Sequence, residues 1–221
     1  KFKNIYIGGG SPNILSETQI TRLLGNLFSS FSFSEDGQRN FECNPRSSSI
    51  EKLRIIRKFG FNRVSIGVQT LDPVILKNEN RGYQTFDMVR DAVSNAQSCG
   101  LKVNVDLMVG LYGDNLQSVV ESFERIVSLS PDGISLYPLK PNFDYLKNFF
   151  RSDEKKFYSG LKVKVNCVLS ALKRIAIKFN YTYPEAAYLA EGYCVRFDKK
   201  EQENKDGYYA NVPHSTLGIG A

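Results

Sequence analysis

The chain of 221 residues is 42% hydrophobic and 24% charged, which is the composition of a globular protein with a buried core. Its formal net charge is +6, but the basic residues are interspersed with carboxylates, so the composition does not indicate a nucleic-acid-binding protein. The sequence shows neither an apolar run of transmembrane length nor a signal-peptide pattern, so we expect a cytoplasmic protein without a membrane partner.

Strand and helix patterns alternate along the first two thirds of the chain. Apolar runs predict strands at 4–7, 39–43, 63–68, 102–110 and 133–139. Capping residues and helical spacing predict helices from about Ser16, before Gly60, from Asp72, from Thr85 to Ser98 and from about Asn115 to Ser128. This alternation predicts an α/β fold with a parallel sheet.

The alternation stops after Pro141. A long helix is predicted over about 155–179, and the stretch "NYTYPEAAY" at 180–188 resembles one more strand. Residues 191–215 are polar and are predicted to be irregular, and "TLGIGA" then resumes an apolar run.

Polar residues interrupt the predicted strands at or near their carboxyl ends: Glu42, Asn44, Gln69, Asp106 and Tyr137. A parallel strand that is buried on both faces is nearly all apolar, so these exceptions require a reason. The three consecutive glycines of "IYIGGGSP" follow the first strand at the same edge. Because parallel strands deliver their carboxyl ends to one rim, we expect these residues to line one pocket.

Each of these features also has a simpler interpretation. Three glycines often form a tight turn, Glu42 can be a surface carboxylate and Arg81 a solvated cation at a helix end. Glu42 and Asp106 together could hold a magnesium ion, although no histidine or further acid supports that site. The four cysteines, at positions 43, 99, 167 and 194, lack the close spacing of a metal site.

Five ordered segments are similar to those of one enzyme family: "IYIGGGSPNILS", "FECNPRS", "FNRVSIGVQTLD", "NENRGY" and "VNVDLMVGLYGDN". Over about residues 4–140 the chain resembles radical S-adenosylmethionine (SAM) enzymes of the oxygen-independent coproporphyrinogen III oxidase type, with a weaker similarity in "TLGIGA". The resemblance implies a partial (β/α) TIM-type barrel at 1–141 and a C-terminal extension at 142–221, where substrate specificity is expected.

The resemblance also implies a binding site for SAM. It assigns three residues of the glycine turn to the methionine end of the cofactor, and four polar residues to its amino group, ribose and carboxylate: Gly9, Gly10, Ser11, Glu42, Gln69, Arg81 and Asp106. These residue types suit the ligand, because carboxylates accept from ammonium and hydroxyl groups and an arginine pairs with a carboxylate. Glycines let the backbone approach closely.

In this family SAM chelates a 4Fe-4S cluster and is cleaved to a 5'-deoxyadenosyl radical. The cluster ligands are a CxxxCxxC motif before the strand that precedes the glycine turn, and this sequence begins at Lys1 without that motif. We therefore expect the ligands upstream of Lys1. The chain by itself is expected to bind no cluster and to be inactive.

The resemblance leaves three functions open. The first is oxidation of a tetrapyrrole-like substrate, with electrons from a donor such as flavodoxin or ferredoxin. The second is a radical methyl transfer or cyclopropane formation. The third is a haem carrier of the same fold, although "NKDGY" stands where carriers have a histidine, and His214 lies beyond it.

Overall fold

The computed structural model of the protein describes residues 1–151, 154–182 and 194–200. The strands are β1 (Ile5–Ile7), β2 (Arg39–Cys43), β3 (Arg63–Gln69), β4 (Lys102–Val109), β5 (Gly133–Pro138) and β6 (Val195–Asp198). The helices are α1 (Glu17–Ser30), α2 (Ile50–Lys58), α3 (Pro73–Asn78), α4 (Phe86–Ser98), α5 (Leu116–Ser128), α6 (Phe143–Tyr145) and α7 (Glu154–Lys178). The helices and strands predicted from the sequence up to residue 139 are therefore confirmed, as is the long helix α7.

The helices begin at side chains that accept hydrogen bonds from the first free backbone N–H groups. Ser16 forms a reciprocal capping box with Gln19 at the start of α1, and Asp72 accepts from two backbone amides at the start of α3. Asn115 forms a second reciprocal box with Ser118 in α5. Such caps satisfy donors that the helix itself leaves free, which is why the helix starts were readable from the sequence.

The strands form one sheet in the order β1-β2-β3-β4-β5-β6. Each of the first five strands pairs in parallel with its neighbours, as predicted, whereas β6 runs antiparallel to β5. Strand β6 lies within residues predicted to be irregular, and that prediction is wrong for Val195–Asp198. The strand is only four residues long and lies in a polar stretch, so periodicity could not identify it. Of the strand predicted at 180–188, Tyr181 forms an isolated bridge with Lys199, and residues 183–188 lie outside the described ranges.

One face of the sheet is apolar and packs against the helices. Its residues alternate along each strand and belong to the hydrophobic core, for example Phe41, Val64, Val105 and Ile134. A buried face of this kind supplies most of the driving force for folding, at roughly 25 cal/mol for each Å² of apolar surface removed from water.

The opposite face, called here the inner face, carries the alternate residues and is polar along much of its length. Asn40, Arg63, Ser65 and Asn104 belong to it, and each is at most 4% exposed. The polar residues of the strands therefore extend beyond the carboxyl edge, where the sequence analysis had identified Glu42, Gln69 and Asp106. Polar side chains of neighbouring strands lie side by side on the inner face, so they can form hydrogen bonds with one another, as Ser65 does with Asn40.

Part of the segment 142–221 joins this architecture. Helix α7 packs against α5, and β6 extends the sheet beside β5. The role of this segment in substrate specificity stays a prediction. Across the described ranges, the structure contains no helix with the length and apolar character that crossing a bilayer requires.

Candidate functional site

The glycine turn follows β1 at the carboxyl edge of the sheet. Gly9, Gly10 and Ser11 have φ values of 82°, 63° and 62°, in the left-handed region that side chains disfavour. A Cβ atom at Gly9 or Gly10 would have no neighbour within 4 Å, so the main chain here borders open space. The turn therefore presents a stretch of backbone that a ligand can approach closely.

Glu42, in the neighbouring strand β2, holds this turn in place. Its Oε2 accepts a hydrogen bond from the backbone N–H of Gly9 at 2.9 Å, and its Oε1 accepts from the hydroxyl of Tyr6 at 2.5 Å. A Cβ atom at Gly8 would lie 2.7 Å from Cδ of Glu42 and 2.7 Å from Cε1 of Tyr6. Gly8 is thus required because the Glu42 carboxylate and the Tyr6 ring occupy the space beside it.

Asn13 joins the segment after the turn to the end of β2. Its Nδ2 donates to the carbonyl of Asn44 at 3.0 Å and to Oγ of Ser48 at 3.2 Å, while its Oδ1 accepts from the backbone N–H of Asn44 at 3.0 Å. Asn13 is 1% exposed. This buried amide fixes the glycine turn relative to the strand that carries Glu42.

A β-bulge near the end of β3 brings the next two predicted residues together. The register shifts between Gly67 and Gln69, and Gln69 has a φ of 69°. The amide nitrogen of the Gln69 side chain lies 3.1 Å from the position that a Cβ atom on Gly67 would take. Arg81 donates from Nη1 to the carbonyl of Gly67 at 3.1 Å, and Gln84 donates to the carbonyls of Val68 and Thr70. These side chains satisfy backbone acceptors at the bulge.

Asp106 lies opposite Gly67 in the sheet register and is half-buried. Burial raises the pKa of Asp106 to about 7, an effect that Arg63 opposes and that the charge of Glu42 reinforces. Asn104 also donates from Nδ2 to Oδ1 of Asp106 at 2.6 Å, which favours the ionised form. In the sheet register Glu42 pairs with Ser65 of β3 and Asp106 pairs with Gly67, two residues further along β3, so the two side chains lie on the same face of the sheet.

The structure thus brings the residues predicted from the sequence into one continuous arrangement. Gly9 contacts Glu42, and Glu42 and Asp106 lie on the same face on either side of β3. Asp106 lies beside Gly67, whose carbonyl accepts from Arg81 and which the side chain of Gln69 approaches. Gly10 and Ser11 continue the open turn. Their binding roles stay predictions, but their common location at the carboxyl edge is observed.

Sequence reasoning missed several residues that support this arrangement: Tyr6, Asn13, Arg63, Gln84 and Asn104. Their roles depend on contacts between distant parts of the chain, such as the 36-residue separation of Tyr6 and Glu42. The period-2 alternation in "VNVD" could have indicated that Asn104 and Asp106 share one face of a strand.

The four cysteines are free thiols, and burial raises the pKa of Cys43 to about 12. Within 1–151, 154–182 and 194–200, no three or more histidine, cysteine, aspartate or glutamate side chains are grouped so that they could hold a metal ion. The location of the cluster ligands upstream of Lys1 stays a prediction. His214 lies outside the described residues.

The sequence matches the profile of the radical SAM superfamily over residues 1–126, which is more than half of the chain. The chain belongs to the radical SAM superfamily. It is 27% identical over 97% of its length to the oxygen-independent coproporphyrinogen III oxidase of Helicobacter pylori, of which it covers 48%. It is 35% identical over 62% of its length to the heme chaperone HemW of Bacillus subtilis, of which it covers 36%. The chain therefore spans between about a third and a half of these relatives.

The fold of this radical SAM chain is also that of a solved enzyme. The structure of coproporphyrinogen III oxidase (HemN) from Escherichia coli superposes with a TM-score of 0.74, at 22% identity, over 91% of this chain and 44% of that protein. The expected partial barrel is thus confirmed as an α/β fold with a mostly parallel sheet. Among the described residues, the six strands follow one another in sequence order, and β1 and β6 form the two edges of the sheet.

Radical SAM proteins use SAM and a 4Fe-4S cluster, and the described residues fit the first of these. The bare backbone at Gly9 and Gly10 leaves space for a ligand, and the side chains along the same edge of the sheet include two carboxylates, an amide and a guanidinium. These groups match the ammonium, carboxylate and hydroxyl groups of an amino-acid nucleoside.

Proposed function

We propose that the whole protein is a radical SAM enzyme that acts on a tetrapyrrole-like substrate in the manner of a coproporphyrinogen III oxidase. The observation that carries this proposal is the convergence of the glycine turn, Glu42, Gln69, Arg81 and Asp106 on one edge of the sheet. The names of the H. pylori relative and of the E. coli structural neighbour support the substrate class.

In this proposal Glu42 and Arg81 keep their contacts within the protein and use their remaining hydrogen-bond acceptors and donors to bind the ligand. Each oxygen of the Glu42 carboxylate has a second lone pair beyond its bond to Tyr6 or Gly9, so Glu42 can also accept from the cofactor's ammonium group. The Arg81 guanidinium has five N–H donors, so its bond to Gly67 leaves donors for a carboxylate. Asp106 would accept from a ribose hydroxyl.

SAM, when bound with its cluster, supplies a 5'-deoxyadenosyl radical that can abstract hydrogen from a substrate. The contribution of residues 1–141 is to bind and orient the nucleoside, and residues 142–221 are expected to supply substrate specificity. An electron donor such as flavodoxin or ferredoxin is part of the proposal. The substrate would be a porphyrinogen with propionate side chains.

The test compares SAM affinities in the whole protein, reconstituted anaerobically with iron and sulfide. Glu42→Ala or Asp106→Ala should weaken binding by about 1 to 3 kcal/mol, the usual cost of removing one partner from a buried charged hydrogen bond. Asp91→Ala, which removes an exposed carboxylate on α4, is the control and should leave affinity unchanged. Equal affinities for all variants in calorimetry would remove Glu42 and Asp106 from the site.

A heme carrier is the second candidate, because the chain is also 35% identical to a protein named as the heme chaperone HemW. Two assays separate the candidates. Release of 5'-deoxyadenosine, together with consumption of coproporphyrinogen III, supports the enzyme. A Soret shift on haem addition that His214→Ala abolishes supports the carrier, because a histidine is a common axial ligand of haem iron.

A further inference from the structure

A buried polar group lies directly behind Asp106 on the inner face. Asn104 precedes Asp106 by two residues in β4, so both side chains point to the same face, and Asn104 is 2% exposed. Its Nδ2 donates to Oδ1 of Asp106 at 2.6 Å. Asn104 is on the amino-terminal side of Asp106, so it contacts the carboxylate from the side away from the rim of the site.

Strand β5 holds Asn104 in this position. Oγ of Ser135 lies 3.1 Å from Nδ2 and 3.2 Å from Oδ1 of Asn104, and Ser135 is 3% exposed. Gly133 is the register partner of Asn104, and a Cβ atom on Gly133 would lie 2.9 Å from Oδ1 of Asn104. The missing side chain at 133 makes room for the amide, and the serine at 135 fixes its orientation.

We propose that Asn104 is a positioning residue, which fixes the rotamer of the Asp106 carboxylate so that this group can accept a hydrogen bond from SAM. The proposal rests on the proposed function of Asp106 as a cofactor ligand. A bond that fixes Oδ1 also fixes where Oδ2 lies, and pre-orientation of a ligand-binding group lowers the entropic cost of binding.

The charges around Asp106 show why the amide is needed. Groups from four parts of the chain act on this carboxyl or are acted on by it: Glu42 from β2, Arg63 from β3, Arg196 from β6 and Cys194 before β6. Burial and Glu42 disfavour the anion, whereas Arg63, Asn104 and Arg196 favour it. Loss of the Asn104 amide should therefore raise the pKa of Asp106 and leave less of the carboxylate ionised near neutral pH.

The first experiment measures this coupling without any cofactor. The protein is labelled with ¹³C-aspartate, and the Asp106 carboxyl is titrated by NMR before cluster reconstitution. Asn104→Ala should raise the pKa of Asp106, and Ser135→Ala, which keeps the amide but loosens it, should raise it less. Ser65→Ala is the matched control, since Ser65 is an equally buried serine of the inner face that bonds to Asn40 rather than to Asn104.

The second experiment measures SAM affinity in the reconstituted whole protein. At pH 7, Asn104→Ala should weaken binding about tenfold, as expected for a lost hydrogen bond to a charged group. The deficit should shrink at least about threefold by pH 8.5, because the Asp106 anion returns as the pH rises above its pKa. A general packing defect would give the same deficit at both pH values, and that result overturns the proposal.

The outcomes separate this inference from the proposed function. If Asp106→Asn binds SAM as tightly as the natural protein, the proposed site is wrong. If Asp106→Asn weakens binding while Asn104→Ala changes neither the affinity nor the titration of Asp106, only the positioning role fails. If Asn104→Ala does not fold, Ser135→Ala decides the question, and a titration identical to that of Ser65→Ala overturns the proposal.

Discussion

The raised pKa of Asp106 predicts a stability cost that depends on pH. The pKa rises from an ordinary value of 3.8 to about 7 in the folded protein. Between these values the folded state keeps a proton that the unfolded state has released, so stability should fall as the pH rises from about 4 to about 7. This difference between the folded and unfolded pKa corresponds to about 4 kcal/mol at most, and because Asp106 is only half-buried we take about 2 to 4 kcal/mol as the expected range.

Asp106→Asn removes this ionisation and should therefore stabilise the fold by about 2 to 4 kcal/mol above pH 7, with little difference near pH 4. Urea unfolding of both proteins at a series of pH values from about 4 to about 8 measures the difference. Asp91→Asn, at an exposed position of α4, is the control and should follow the natural protein throughout. A constant difference between Asp106→Asn and the natural protein at every pH would refute the reasoning.

Two further substitutions test the packing around the site, and a third tests an ion pair between α7 and the loop before α5. Gly8→Ala should cost about 1 to 3 kcal/mol and weaken SAM binding, because the new methyl group would displace Glu42. Asn13→Ala should cost about 1 to 3 kcal/mol of folding stability, since it leaves buried partners at the end of β2 without their hydrogen bonds. Lys164→Met should cost about 3 to 5 kcal/mol, because it removes the ion-pair partner of Asp114, whose side chain is 2% exposed.

Each of these three variants has a control of the same residue type away from the site. Gly25→Ala lies within α1, where a Cβ atom would meet nothing within 4 Å, and should stabilise the helix by up to about 1 kcal/mol. Asn26→Ala and Lys162→Met alter exposed positions and should change unfolding by less than about 0.5 kcal/mol. Test variants that unfold at the same urea concentration as their controls would contradict the contacts assigned to them.

The sequence alone was sufficient to predict the strands and helices that form the apolar layer of the fold. Strands β2 to β5 and the helices between them follow from residues that alternate or recur at helical spacing and from caps such as Thr85. These signals are local, because a cap or an apolar stripe is complete within a few residues of the chain. The same local reasoning placed Gln69 and Asp106 at one edge of the sheet.

The polar inner face was not predictable in the same way. The alternation in β4 shows that Asn104 and Asp106 share a face, but it does not reveal that the neighbouring strands also carry buried polar residues on this face. The partners of that amide come from β5, about thirty residues later in the chain. Nor does the local sequence around Gln69 indicate a bulge, because left-handed backbone is usually associated with glycine or asparagine.

The backbone of Gln69 has a consequence for how this sequence balances folding against ligand recognition. A non-glycine residue in the left-handed conformation costs roughly 1 to 2 kcal/mol, and glycine would adopt the same φ without that penalty. Replacing Gln69 by glycine should therefore increase the free energy of unfolding and make ligand binding less selective. Under the proposed function, glutamine at this position lowers the stability of the fold in exchange for a side chain that can contact the ligand.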